Sequence, residues 1–222
     1  KYKTEYYNNK TLSGDPIAVT CKDNINNNWG GSGPTLIPSN IFKLGTGADG
    51  NLNVPSGQTV YTDDVRSKLQ NSANNGTNGL CIASTTGFSV GDEVMVLQVQ
   101  GTGAGNYEFG KVTQIDSCWL TLENNLTNSY TTPNSAAQVI RVPQYTSVTI
   151  SGKLTAHPWN GDTGGVLAFR AKGDVILNGG SIDTSYIGFR GGSRIYTPAA
   201  QGKQGETITG EGTLSRMPLE PG

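Results

Sequence analysis

The chain has 222 residues, of which 31 are glycine, and its formal net charge at pH 7 is −1. Charged residues make up 15% of the chain, against about 25% in an average globular protein. Since no basic face is evident, we expect no nucleic-acid partner. Since no apolar run reaches about 18 residues, we expect no membrane partner. Asn, Ser, Thr and Gly favour strands and turns over helices.

Composition and hydrophobic pattern change along the chain, and these changes predict four successive parts. Residues 1–43, with tyrosines and an Asn-rich run, are expected to form a partial β-sheet. Residues 44–86 are expected to hold a first coil and a short helix. Four strands with short turns over residues 87–143 predict a small antiparallel barrel or a compact twisted sheet. Residues 144–222 are expected to carry further coils and a Gly-rich tail.

One helix is predicted, over residues 62–75, TDDVRSKLQNSANN. Thr62 can cap its N-terminus, and Asp63 and Asp64 suit a first helical turn. Val65 and Leu69 are four residues apart, as on one face of a helix. The segment then runs into Asn and Gly, so we expect a turn or two of helix at most.

The stretch QVQGTGAGNYEFG, residues 98–110, can be interpreted as a phosphate-binding loop or as a hairpin. A dinucleotide site needs glycine where Asn106 stands, and no Gly-Lys-Ser/Thr follows. Apolar strand patterns lie on both sides of the glycines, so the sequence predicts a hairpin loop at residues 101–105 without a bound phosphate. Tyr107 and Phe109, two residues apart, are expected to share one strand face and to pack on the barrel core.

A gapped internal repeat begins at Leu52, Val148 and Val175, in LNVPSGQTVYT, VTISGKLTA and VILNGGSIDT. Each copy has two apolar residues two apart, then Ser or Asn before Gly, then another apolar residue. This pattern is typical of a parallel β-solenoid, in which inward aliphatics stack and glycine permits the bend between faces. We therefore predict an all-β fold of parallel β-solenoid-like coils, with the barrel-like part inserted between coils. An ordinary β-sandwich is the alternative.

The three cysteines, Cys21, Cys81 and Cys118, are an odd number, so at least one is free or pairs between chains. If both segments are strands with alternating side chains, Cys118 lies on the same face as Leu120, whereas Cys81 lies on the face opposite its apolar neighbours. This argues against a bond between Cys81 and Cys118, and buried free thiols are the expectation.

Two stretches resemble known protein families. Residues 5–42, with EYYNNKTLSGDPIAVTCKDNINNNWGGSGP and IPSNIF, resemble the opening of the protective-antigen-type domain, a secreted β-sandwich often attached to glycan-active proteins and adhesins. Most of that sandwich is missing, including the paired-aspartate calcium loop through which some members bind sugars. Residues 44–192, with GFSVGDEVMVLQVQGTGAGNYEFG and GGVLAFRAKGDVILNGGSIDTSYIGFRGG, resemble Gly-rich modules of large bacterial secreted or cell-surface proteins. That resemblance implies an extracellular β-rich module and no defined chemistry.

No catalytic or metal-binding constellation is predicted. The single histidine, His157, lies in a turn-rich loop without a nucleophile motif. Asp183 is the best acidic candidate, yet it has no evident acidic partner for glycoside chemistry. Residues 49–53, DGNLN, alternate oxygen ligands as calcium loops do but lack the terminal glutamate, so a plain turn is favoured. We therefore expect no cofactor and no metal.

The remaining candidates are aromatic. Trp159 and Tyr186 lie in loops rich in Asn, Gly and Asp, where a ring can stack on a sugar while polar groups bind its hydroxyls; a Trp folded over the coils as a cap is equally compatible. Together with Asp183 and His157 they form the predicted ligand-binding residues. The sequence thus predicts a non-catalytic, extracellular or surface module for adhesion or carbohydrate binding, with a polysaccharide or cell-surface glycan as partner. A self-associating filament or matrix subunit, and a polysaccharide lyase or glycoside hydrolase, remain as alternatives.

Overall fold

The computed structural model describes residues 2–6, 18–22, 44–192, 202–203, 205–210 and 214–215. The regular secondary structure within these ranges consists of β-strands, which confirms the predicted all-β class. None of these residues forms a helix that is long and apolar enough to cross a membrane. Most of the stretch that resembles the protective-antigen-type domain lies outside the described residues, as does most of the predicted tail.

The strands are short and follow one another in two compact units of the chain, Lys1–Lys43 and Leu44–Gly222. The first unit contains β1 (Tyr2–Tyr6) and β2 (Ala18–Lys22), which pair antiparallel. The second contains β3 (Leu52–Val54), β4 (Thr59–Tyr61), β5 (Arg66–Lys68), β6 (Gly79–Cys81), β7 (Glu93–Gln100), β8 (Tyr107–Asp116), β9 (Trp119–Leu122), β10 (Ala136–Arg141), β11 (Gln144–Tyr145), β12 (Val148–Ile150), β13 (Lys153–Thr155), β14 (Arg170–Ala171), β15 (Val175–Leu177), β16 (Ser181–Ile182), β17 (Gly202–Lys203) and β18 (Leu214–Ser215).

The three copies of the repeat stack in parallel and in register. Val148 of β12 lies between Leu52 of β3 and Val175 of β15, and the order in this sheet is β15-β12-β3. After the bend, β16, β13 and β4 form a second parallel sheet in the same order, and β11 pairs with β14 in parallel. Val148, Ile150 and Leu154 are fully buried between these short sheets. The repeat therefore predicted the stacking of these segments correctly.

Between the first copy of the repeat (β3 and β4) and the second (β12 and β13), each called a coil below, the chain forms a six-stranded antiparallel sheet in the order β5-β10-β7-β8-β9-β6. Its two edges meet through a bridge between Leu69 and Ile82, beside a hydrogen bond from the Gln70 amide to the Cys81 carbonyl. The sheet thus curls round on itself, as the barrel-like prediction required. Its interior is apolar and holds the buried residues Leu69, Ala73, Leu80, Ile82, Phe88, Val94, Val96, Val112, Leu120, Leu122, Leu126, Tyr130, Ala137 and Val139.

The predicted helix over residues 62–75 is wrong. Arg66–Lys68 is a strand that pairs with β10, and Leu69 closes the barrel. Asp63 does not start a helix, and its buried carboxylate accepts a hydrogen bond from the His157 amide at 2.8 Å. Tertiary strand pairing outweighs a weak local helix preference here.

The predicted hairpin loop at the GTGAG stretch is confirmed, whereas the predicted packing of Tyr107 and Phe109 on the barrel core is wrong. β7 and β8 pair antiparallel on either side of Gly101–Gly105, so this stretch is a hairpin loop. Tyr107 and Phe109 share a strand face, but they are 57% and 41% exposed and lie outside the barrel. The reason is strand parity: Val112 points into the barrel, and the residues at odd numbers between 107 and 111 therefore point outward.

Gly103 has φ +81°, which is the left-handed region that favours glycine. Replacing it by alanine should therefore lower the free energy of unfolding by about 1 kcal/mol. Chemical unfolding of the two proteins side by side measures this difference. An alanine variant as stable as the parent chain would contradict the strained backbone at this position.

The expectation of free thiols at Cys81 and Cys118 is also wrong, because the two form a disulfide with 4.9 Å between their Cα atoms. Antiparallel pairing sets Cys81 opposite Trp119, the neighbour of Cys118. The phase argument failed because Cys118 does not lie on a regular strand. It is in the turn after Ser117, whose φ of +52° interrupts the alternation of side chains. Cys21 lies in β2, and its side chain lies outside the described part of the chain.

Candidate functional site

Tyr186 is the most exposed large hydrophobic side chain among the described residues. It follows β16 in a turn, and its ring is fully open to solvent. Its φ of +63° is a left-handed conformation that a bulky residue adopts only at a cost. The turn is fixed on both sides, because the Ser185 amide donates to the Asp183 carboxylate at 2.8 Å and Ile187 is buried. These contacts fix the backbone from which the exposed ring of Tyr186 projects.

Asp183 belongs to the same turn and is paired with Lys153 of the neighbouring strand at 2.6 Å. The hydrogen bond from Lys153, with those from Ser185, holds the pKa of the Asp183 carboxyl well below its usual range. A carboxylate of this kind accepts hydrogen bonds and does not serve as a proton donor near neutral pH. The ammonium of Lys153 is a donor beside it, so the surface next to Tyr186 offers both an acceptor and a donor.

His157 lies two residues beyond β13, at the same end of the β4-β13-β16 sheet as Asp183. The Thr155 hydroxyl donates to the Asp183 carbonyl at 2.6 Å and thereby joins the two strand ends. The imidazole of His157 is stacked on Tyr61 with 4.1 Å between ring centroids. Its Nε2 lies 2.7 Å from Asp64 Oδ1. The ring is therefore held in place by neighbours on two sides.

The carboxyl of Asp63, beneath His157, has no access to solvent. Burial raises its pKa, against the opposing effects of the hydrogen bond from the His157 amide and the charge of Arg66. Oδ2 of Asp63 and Nε of Arg66 are 3.7 Å apart, and neither atom has a hydrogen-bond partner among the described residues. This group faces the interior and is not part of the exposed surface.

Trp159 is only 4% exposed, so its ring faces are not available to a ligand. Of the two arrangements open from the sequence, the observed one is the ring packed onto the fold. Its amide donates to the Ile187 carbonyl at 2.9 Å, and its indole meets the Phe189 ring edge-on at 6.2 Å. Trp159 therefore supports the segment that carries Tyr186.

Sequence reasoning missed a second aromatic surface on the outside of the barrel. Tyr107 and Phe109 pack edge-to-face at 6.0 Å, and the guanidinium of Arg170 lies 4.8 Å above the Phe109 ring. Arg170 also binds Glu93 through two nitrogens. A cavity of about 170 Å³ opens beside Phe109 and is lined by Phe109, Val142, Leu167, Ala168, Phe169 and Arg170. The signal in the sequence was Val112: because side chains alternate along the strand, an inward-facing Val112 puts Tyr107 and Phe109 on the outer face.

No group of three or more His, Cys, Asp or Glu side chains that could hold a metal occurs among the described residues. In the DGNLN stretch, Asp49 accepts hydrogen bonds from Arg141 and from the Gln144 amide, each at 2.6 Å. Gly50 has φ +71°. This carboxylate connects the first coil to the strand that leaves the barrel.

Neither a family model nor a curated protein matches the chain. Three solved phage tailspikes show a weak structural likeness to it. The Gp54 tailspike of Acinetobacter baumannii phage AP22, solved with a capsular saccharide, is 9% identical with TM-score 0.32, over 60% of this chain and 28% of that one. The gp49 tailspike of Pseudomonas phage LKA1 is 14% identical with TM-score 0.31, over 49% and 23%. The gp61 tailspike of Pseudomonas phage phi297 is 15% identical with TM-score 0.31, over 60% and 25%. The likeness spans only about a quarter of their length and carries no argument about function.

Proposed function

We propose that the chain is a non-catalytic carbohydrate-binding module that works outside the cell, with a polysaccharide or cell-surface glycan as its partner. The observation that carries the proposal is the Tyr186 turn, in which a fully exposed ring is held on a left-handed backbone beside the Lys153–Asp183 pair. A strained, exposed aromatic persists only where the surrounding structure holds it, and such positions cluster at functional sites.

The chemistry of this turn suits a sugar. One face of a pyranose ring is apolar and can lie flat on Tyr186, while the hydroxyls at its rim need both donors and acceptors. Asp183 accepts and Lys153 donates, and charged partners make the stronger hydrogen bonds. Because the neighbours of Tyr186 fix the backbone of the turn before binding, little backbone entropy is lost when a sugar stacks on the ring.

A set of substitutions at Tyr186 tests the proposal after a glycan array has identified the best ligand. Tyr186→Gly removes the ring and suits the left-handed backbone, so it should weaken binding at least about tenfold, or 1.4 kcal/mol. It should leave the free energy of unfolding unchanged or raise it by up to about 1 kcal/mol. Tyr186→Phe keeps the stacking face and should bind within about threefold of the parent chain.

Isothermal titration calorimetry measures these affinities, and Tyr107→Ala is the matched control, because it removes an exposed ring from the barrel instead. Its affinity should equal that of the parent chain. The proposal fails if the parent chain binds no glycan on the array, or if Tyr186→Gly binds as tightly as the parent chain.

A further inference from the structure

A cleft of about 340 Å³ opens beside the barrel, at the end of strand β5. One wall is formed by residues 68–70 and by residues 132–137, which lead into β10, and the other wall is the turn that carries Asp162. The volume of the cleft lies at the lower end of the range of about 300–1,000 Å³ that is found for small-molecule sites. The cleft can therefore hold one small ring compound.

Hydrogen bonds fix both walls of this cleft. The Thr132 amide donates to the Ser72 hydroxyl at 2.9 Å, and that hydroxyl donates to the Thr132 carbonyl at 2.8 Å. On the opposite wall, the side-chain oxygen of Asn160 accepts hydrogen bonds from the amides of Asp162 and Thr163, each at 2.9 Å. Because the backbone of both walls is held, little backbone entropy is lost when a ligand binds between them.

The cleft presents a cation, an anion and an amide to solvent. Nζ of Lys68 lies 3.0 Å from Oδ2 of Asp162, and the two side chains are 47% and 61% exposed. Ion pairs this exposed contribute little to stability, so both groups can turn to the hydroxyls of a ligand at small cost. Asn134 is exposed, and its side-chain amide makes no hydrogen bond to another described residue. That amide offers both a donor and an acceptor.

The charge and the apolar part of the lining decide between ligand classes. Among the described residues that line the cleft, only Lys68 and Asp162 are charged, and their charges cancel. An ionic ligand needs an excess of the opposite charge when it leaves water, so an uncharged ligand is favoured. Leu69, Ala136 and Ala137 add an apolar surface to the lining. A ring with an apolar face and a rim of hydroxyls matches this combination, and sugars have that form.

We propose that this cleft is a second saccharide site, which takes one uncharged sugar residue. The apolar face of the sugar lies against Leu69 and Ala137. Its hydroxyls accept hydrogen bonds from Lys68 and Asn134 and donate to Asp162. None of the residues that line the cleft belongs to the Tyr186 turn, so this site does not rest on the function proposed for that turn.

The probes are the neutral methyl glycosides of glucose, galactose, mannose and N-acetylglucosamine, each titrated at millimolar concentration into the full ¹⁵N-labelled chain. At least one of them should shift the amide signals of residues 68–70, 134–137 and 160–163 in a saturable manner. The charged methyl glucuronide and methyl glucosaminide should bind at least about threefold more weakly than the best neutral glycoside, because the cleft has no net charge to pair with them.

Four variants locate the binding. Asp162→Ala removes the charged acceptor and should weaken binding of the best neutral glycoside at least about tenfold. Asn134→Gly removes the amide and suits the backbone there, whose φ is +65°, so it should fold as the parent chain does and bind at least about threefold more weakly. Asp174→Ala removes an exposed carboxylate outside the cleft and should leave the affinity unchanged, as should Tyr186→Gly. Because Asp162 and Asp174 are both exposed, their alanine variants should melt at the parent temperature.

The possible results separate this site from the Tyr186 turn. Amide shifts confined to residues 183–187 that Tyr186→Gly abolishes would support the function proposed for that turn and overturn the second site. No saturable shift at the cleft with any neutral glycoside would overturn it as well. So would equal affinity for the charged and neutral glycosides, or unchanged affinity in both Asp162→Ala and Asn134→Gly.

Discussion

Replacing Gly152 by alanine is expected to lower the free energy of unfolding by about 3 kcal/mol or more. Gly152 lies at the bend between β12 and β13, and a Cβ there would stand 2.2 Å from the Pro55 carbonyl oxygen and 2.4 Å from that of Gln58. Both are backbone atoms of the neighbouring coil and cannot rotate away. Overpacking of a close-packed interior costs about 1–3 kcal/mol, and more where backbone must move.

The matched control is Gly57→Ala, at the equivalent bend of the first coil. Gly57 has φ +75°, but a Cβ there meets nothing within 4 Å. Only backbone strain is then added, so the loss should be about 1 kcal/mol. Urea unfolding of the two variants measures the difference. Similar losses for both would show that the coils do not approach each other closely at Gly152.

Removing the disulfide is expected to have the second large effect. Cys81 and Cys118 are 37 residues apart. A disulfide that closes a loop of this length restricts the unfolded chain and so raises the free energy of unfolding by about 3–4 kcal/mol. The double variant Cys81→Ser and Cys118→Ser should therefore lose about that much stability, and it leaves Cys21 untouched. The bond joins the turn before β9 to the paired strand β6, so its loss should loosen the barrel first.

Reduction of the parent chain provides the control for this prediction. Dithiothreitol should lower the denaturation midpoint of the parent chain to that of the double variant, and should not change the double variant itself. If the reductant leaves the parent midpoint unchanged while the bond is shown to be reduced by thiol counting, the expected contribution of the disulfide is wrong.

The stacked coils could be predicted because the signal for them is repeated and non-local. Leu52, Val148 and Val175 carry the same pattern, and inward aliphatics at matching positions can be buried only if the copies stack in register. The barrel was indicated by the alternation in its strands. The alternation did not predict how the two edges of the sheet meet. They meet at the bridge between Leu69 and Ile82, and the segment that contains Leu69 has a local preference for helix.

The candidate site was predicted only in part, and the failures have physical causes. Tyr186 and Asp183 share one turn, as their closeness in sequence suggested, but whether a loop Trp lies outside or inside depends on packing. Trp159 is buried against the segment that follows Tyr186, through contacts between loops that no local pattern encodes. Phe109 was expected on the barrel core, but it lies three residues before the inward-facing Val112 on the same strand and therefore faces outward.

The most direct measurement of the central claim is an intermolecular NMR contact between a bound oligosaccharide and Tyr186. With the best ligand from the array, the ring protons of the sugar should move upfield on binding, because they enter the shielding region above the tyrosine ring. They should show nuclear Overhauser effects to the Tyr186 ring that disappear in Tyr186→Gly. Saturable binding with contacts only to other residues, such as Tyr107 and Phe109 on the barrel, would contradict the account.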